Sequence, residues 1–197
     1  MRVFVAVLVL IFSLQSWTKA DDIRDFEIEG MSIGDSLLDY FSEKKIKKEI
    51  EKDSYNMKGL DFIGLDFNKL DFFKIYDALQ IYIKPNDEKF IIYSIDGIID
   101  YHEKNFKQCL KNLNNIAKEI SNAFTNARKS GPTKSKHGGD KSGKSFYTGI
   151  YFYFKSGDVV NVTCADWSKE LEKKWYDHLR VSLDSKEYDY WINNEAY

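Results

Sequence analysis

The sequence is short of surplus positive charge, of cysteine and of long apolar runs. It carries 29 lysines and arginines against 31 aspartates and glutamates. A nucleic-acid face needs clustered cations to displace phosphate counterions, and this balance offers none. The only cysteines are Cys109 and Cys164. With no histidine pair beside them they do not make the three or four protein ligands that zinc takes. Nor are they the Cys-x-x-Cys of a redox centre. No metal or other cofactor is therefore expected. The one long apolar run, residues 3–14, is too short to span a bilayer.

The position of that run matters. Arg2 precedes it, and Thr18-Lys19-Ala20 places small residues where a signal peptidase reads. Residues 1–20 are thus read as a signal peptide, with no cysteine near the cut to carry a lipid. The protein is expected to be exported, either periplasmic or secreted, with no stable membrane anchor after cleavage. Loss of Arg2 and Lys19 takes the basic count from 29 to 27 against 31 acids. In an oxidising compartment, Cys109 and Cys164 most simply form one disulfide.

What is present is hydrophobic periodicity. Ser32 and Asp35 make a capping-box pattern ahead of Leu37, Leu38, Phe41, Ile46 and Ile50, which predicts a helix. Lys44, Lys45, Lys47 and Lys48 then form its solvated face. Residues 53–70 lack a clear period and are expected as loop. Leu79, Ile81 and Ile83 alternate, residues 84–88 turn the chain, and 90–99 is a second β-rich run. Together these predict an antiparallel hairpin.

The clearest helix is expected over 103–127, where Phe106, Cys109, Leu113, Ile116, Ile120 and Phe124 share a stripe. Residues 128–145 are rich in Gly, Ser and Lys and are expected as an exposed, flexible loop. Within it Arg128, Lys134, Lys136, Lys141 and Lys144 are the candidate contacts for an anionic ligand or partner, although a solvated loop is the plainer reading.

The hairpin over 146–165 has a register that can be derived. Val160, Val162 and Cys164 alternate with Asn161 and Thr163, and Ile150, Phe152 and Phe154 are the matching inward set. A three-residue loop, 155–157 with Gly157 left-handed, pairs 152 with 160 and puts both sets on one face. Cys164 then faces the same core as Cys109. Outward lie Tyr147, Tyr151 and Tyr153, suited to a sugar or peptide or to packing beneath a neighbouring element. Residues 167–176 read as a short helix or polar connection, 178–183 as a strand, and Ser185 opens a final amphipathic segment. The sum is a single α+β domain over 21–197, with an antiparallel sheet of about five strands, helices on one face and order α-β-β-α-β-β-β-α.

Two catalytic motifs are spelled and both lack context. Gly34-Asp35-Ser36-Leu37 resembles the nucleophile block of GDSL hydrolases, which would make Ser36 a nucleophile. That family supplies its base from an Asp-x-x-His, and none of His102, His137 and His178 has an aspartate three residues before it. Gly138-Gly139-Asp140-Lys141-Ser142-Gly143-Lys144-Ser145 satisfies the P-loop pattern. A P-loop links a buried strand to a helix, whereas here a helix precedes and an aromatic strand follows.

A broader resemblance rests on Ser32-Ile-Gly-Asp-Ser-Leu-Leu-Asp-Tyr-Phe41, on Tyr93-Ser-Ile-Asp-Gly97 before the cysteine-bearing helix, and on Phe154-Lys-Ser-Gly-Asp158. These are similar to a family of small exported proteins from AT-rich marine bacteria. The resemblance implies export and one domain, and it supplies no activity. The Gly30-Met-Ser-Ile-Gly-Asp-Ser36 stretch also resembles the helix start of SmpA/OmlA envelope lipoproteins, without their lipid-bearing cysteine. The expected function is a non-catalytic binding or envelope-interaction domain, its partner an envelope protein or small ligand; the alternative is a serine esterase using Ser36.

A disulfide closing roughly 50 residues contributes ~3–4 kcal/mol on chain-entropy grounds. Thiol titration of protein from an oxidising compartment, in denaturant, should find no free cysteine, and reduction should lower the urea midpoint. Two free thiols would remove both the bond and the hairpin register.

Overall fold

Alternation of apolar and polar side chains sets most of the architecture. The computed structural model describes residues 22–52, 61–101, 105–138, 140–172 and 175–196; the signal peptide expected over 1–20 lies outside them. Among the described residues seven strands form one sheet: β1 Ile63–Asn68, β2 Ala78–Ile83, β3 Ser94–Tyr101, β4 Arg128–Lys136, β5 Phe146–Tyr153, β6 Val159–Asp166 and β7 Asp177–Asp184. Their order is β1-β2-β3-β7-β6-β5-β4, with every neighbouring pair antiparallel. Helices α1 Glu43–Lys52, α2 Phe106–Ala123 and α3 Lys186–Asn194 complete the α+β fold. The class and the antiparallel sheet match the sequence reading, with seven strands in place of five.

One face of the sheet carries the main core. Leu79, Ile81 and Ile83 of β2, Leu179, Val181 and Leu183 of β7 and their neighbours on β5 and β6 are buried there. On them α2 lays Cys109, Leu113, Ile116, Ala117 and Ile120. Segment 22–41 and Ile46 of α1 close the same core, so that Phe41 stacks on Phe67 at 4.2 Å. Cys109 and Cys164 are disulfide-bonded with Cα atoms 6.1 Å apart, tying α2 to β6. The β5–β6 hairpin has the derived register: Phe152 lies opposite Val160, and Phe154 donates its N–H to Asp158. Gly157 turns it at φ +96°, a conformation in which a Cβ is strained.

Elsewhere the structure departs from the sequence reading. No helix starts at Ser32. Gly34 sits at φ +91°, the amides of Gly34 and Leu37 donate to the carbonyls of Ile92 and Phe90, and Ile92 donates back to Asp35. This long-range pairing takes the backbone groups that a helix would use, and it also delays β3 until Ser94. Ser36 caps only a 3-10 turn, Leu37–Asp39, and α1 begins at Glu43.

Residues 63–68, expected as loop, are strand β1, its alternation of Ile63, Leu65 and Phe67 masked by Gly64 and Asp66. Residues 128–136, expected as flexible loop, are the edge strand β4, paired with β5 across a bulge between Ser130 and Thr133. An edge strand needs no apolar stripe of its own, and Pro132 lies at that irregularity, where no ladder N–H is required. Finally, the helices do not share one face. Tyr82 alternates with Ile81 and Ile83, and it packs with Phe62 against Tyr188 and Trp191 of α3 on the opposite side.

Gly97 belongs to the main-core side of β3, where a Cβ would lie 2.5 Å from the buried Tyr76 ring. Gly97→Ala should therefore cost about 1–3 kcal/mol through overpacking. Urea unfolding should show a lower midpoint with an unchanged slope.

Candidate binding site

The residues singled out by motif are used by the fold. Ser36 donates its hydroxyl to the Lys89 carbonyl at 2.6 Å and accepts from the Leu38 N–H at 3.2 Å. It bridges Ile91 at one end of the sheet, whereas His178 pairs with Asp100, at least six residues further along β3 from Ser94. Six strand residues are roughly 20 Å. His102 lies outside the described residues.

Residues 140–145, the later part of the P-loop letters, form a closed turn. Asp140 accepts from the Ser142 N–H at 2.9 Å, the Ser145 N–H at 2.8 Å, and both serine hydroxyls, Ser145 at 2.6 Å. The donors that a phosphate would need thus hold an internal carboxylate, and the serine hydroxyls chiefly keep it well below the usual carboxylate range. Lys144 reaches Glu170 at 3.4 Å.

The basic set does not converge. Arg128 stacks on Tyr153 at 4.4 Å on the face shared with α3, while Lys134 lies 4.4 Å over Phe146 on the main-core side. Lys136 follows Lys134 on that side, opposite Phe146, and reaches toward Gly143. Lys141 is exposed. These cations cover aromatic rings and a turn at the β4 edge, and they are split between two faces.

The face bearing α3 holds a buried polar network. Arg180 Nη1 donates to Asp96 at 2.8 Å and to Gln80 at 3.0 Å, and Gln80 in turn donates to Asp66 at 3.2 Å. Asp184 accepts from Ser94 at 2.7 Å and Asn161 at 2.8 Å. Burial raises the Asp96 carboxyl, with Arg180 opposing. Burial and then the charge of Asp96 push Asp184 up to about 8. Burial, aided by Arg180, pushes His178 down to about 4. The named groups are spent on one another, so this is a stitched interior rather than an open site.

At the far end of that face the rings gather. Trp167 lies 4.4 Å from His137, 6.4 Å from His178 and 6.1 Å from Trp175, the two indoles within 25° of parallel. Trp175 is 45% exposed. The segment is placed by backbone bonds: the Trp167 N–H donates to Asp177 at 2.8 Å, and the Ser168 N–H donates to Ser145 at 2.9 Å, within the Asp140 turn. The Trp167 Nε1–H is buried without an acceptor among the described residues. The Ser168 hydroxyl is close enough to Glu170 to help lower that carboxyl but makes no hydrogen bond of full geometry.

Beside the rings, between Phe106 at the start of α2 and the 166–172 segment, runs an open groove of about 530 Å³. Carboxylates of Asp166, Glu170, Glu172 and Asp177 line it together with Lys144 and Lys169. Burial, reinforced by Asp166 and Glu172, raises Asp177. A second depression of about 620 Å³ on α1 has only charged walls, Glu43, Lys44, Lys47, Lys48 and Glu51, and no apolar floor. Among the described residues no histidine, cysteine and carboxylate group of three or more is placed to hold a metal ion. Sequence reasoning left Trp167 and Asp177 unassigned; the recurrence of Trp167 and Trp175 in a polar segment was the available signal. No family model matches the chain, and no curated protein or solved structure matches it either.

Asp184 holds its proton in the folded state up to about 8, against 3.8 for an ordinary aspartate. The stabilisation this represents is complete below the lower value and lost as pH rises through the upper. His178 acts in the opposite sense, folded stability falling as pH drops from 6.5 toward about 4. The interval from 6.5 to about 8 therefore lies above the His178 transition and reports the raised Asp96–Asp184 pair. Urea titrations should show stability declining across it in the native protein and a flatter profile in Asp184→Asn; parallel profiles would refute the assignment.

Proposed function

We propose that this protein is an exported, non-catalytic binding domain whose ligand occupies the groove beside Trp167. The observation that carries this reading is the pairing of a half-exposed indole stack with a groove of mixed charge. Trp167 is itself one of the residues lining that groove. The disulfide fits an oxidising compartment, as does the resemblance to small exported proteins. In place of a serine–histidine pair, the Ser36 hydroxyl is given to a backbone carbonyl.

Binding and esterase readings separate in one experiment on the oxidised chain. A fluorophosphonate probe should leave the protein unlabelled, and a panel of sugars, amines, carboxylic acids and amino acids should contain a class that changes tryptophan fluorescence saturably. That change should vanish in Trp175→Ala. Labelling that disappears in Ser36→Ala would replace this proposal with a serine hydrolase.

A further inference from the structure

We infer that the outer edge of β4 takes up an extended acidic segment of a partner protein as a further strand of the sheet, its carboxylates at alternate positions meeting Lys129, Lys134 and Lys136. β4 ends the strand order, and among the described residues only β5 pairs with it. Every second N–H and C=O along β4 therefore points away from the sheet, the pattern that strand addition uses. The edge is open: Arg128, Lys129, Lys134 and Lys136 are all exposed, as is Thr133. None of the four cations lines the groove beside Trp167, so this surface is independent of the binding reading above.

Charge selects the occupant. In a chain with more acids than bases, β4 holds four cations and no carboxylate. Among the described residues none of the four has a carboxylate partner. Their division between two faces, which excludes a small anion, is what a strand in the plane of the sheet would meet. Lys129 and Lys134 lie opposite Phe152 and Thr148, and Lys136 opposite Phe146, so the three share the main-core side. Arg128, Ser130, Thr133 and Ser135 form the other row. Residues directly opposite on paired strands share a face, so carboxylates at every second position of the incoming segment face the lysine row, and small polar residues face the hydroxyls. Rings beneath the cations fix where they sit: Arg128 lies 4.4 Å over Tyr153, Lys129 5.7 Å over Phe152 and Lys134 4.4 Å over Phe146. Side chains placed in advance lose less freedom on binding. Lysines, a proline and a bulge also keep an edge from pairing with its own kind. A second β4 would bring more cations, and β1, the opposite edge, offers one carboxylate, Asp66, already held by Gln80. The protection works by charge, so it rejects copies and apolar strands and admits acidic ones. An exposed ion pair is worth little alone, so recognition needs the lysine row and the backbone ladder together.

The test uses the oxidised full chain and labelled peptides: alternating glutamate and threonine, the same composition in two blocks, and the alternating peptide with its amides N-methylated. By fluorescence polarisation the alternating peptide should bind saturably and more weakly as salt rises. It should slow hydrogen exchange at 133–136. Affinity should fall at least tenfold in Lys134→Glu with Lys136→Glu, and severalfold in the milder Lys134→Gln with Lys136→Gln. All are changes at exposed positions, and an unaltered circular dichroism spectrum verifies the fold. Equal binding of the N-methylated peptide refutes strand addition, and equal binding of the block peptide refutes the alternating row. Binding to phosphatidylglycerol vesicles in place of any peptide makes the edge a lipid surface and overturns the proposal, as does silence from every probe.

Discussion

The fold depends on one non-local pairing, that of β3 with β7. Eight residue pairs, from Ser94 opposite Asp184 to Tyr101 opposite Asp177, join the β1–β3 meander to the β4–β7 meander. Without them neither half has a complete core, since Ile95 on one and Leu183 on the other face the same helix-covered side. α2 carries the chain from one meander to the other and covers the result. The disulfide fixes that helix to β6, next to the seam, so the covalent link and the central pairing reinforce one another.

The seam also determines the character of the second face. Asp96, Ser182, Arg180 and Asp184 alternate with the apolar residues of β3 and β7 and fall where α3 and neighbouring side chains exclude water. A buried Arg180–Asp96 pair is not by itself stabilising, because desolvation offsets the attraction. Its hydrogen bonds to Gln80 and the link of Asp184 to Asn161 require β2, β3, β6 and β7 in one register. The network acts as a register check more than as a source of net stability.

Legibility in the sequence tracked how local each signal was. α2, the β5–β6 hairpin and the cysteine pair were readable because each rests on a period within one element. Segment 32–36 was misread because its helix-start letters are overridden by pairing with 90–92, more than fifty residues away in the chain. β4 gave no signal because its stabilisation comes from rings on β5, on which Arg128 and Lys134 lie. The candidate site was illegible for the same reason. Its walls come from the start of α2, the Asp140 turn and the ends of β6 and β7, and no short motif encodes that meeting.

Chain order adds a consequence for assembly. During folding β3 exists long before β7 is available to pair with it, so its edge is open while the rest of the polypeptide is still emerging. An open, flat, apolar edge invites pairing with another molecule. The β3 edge instead carries Asp96 and Asp100 on one face, charges that are costly to bury against any strand lacking a matching cation. Arg180 opposite Ile98 is that cation, on the strand that pairs with this edge. The same aspartate that is stitched into the finished interior thus guards the unfinished sheet, making a correct late partner cheap to accept and an early wrong one expensive.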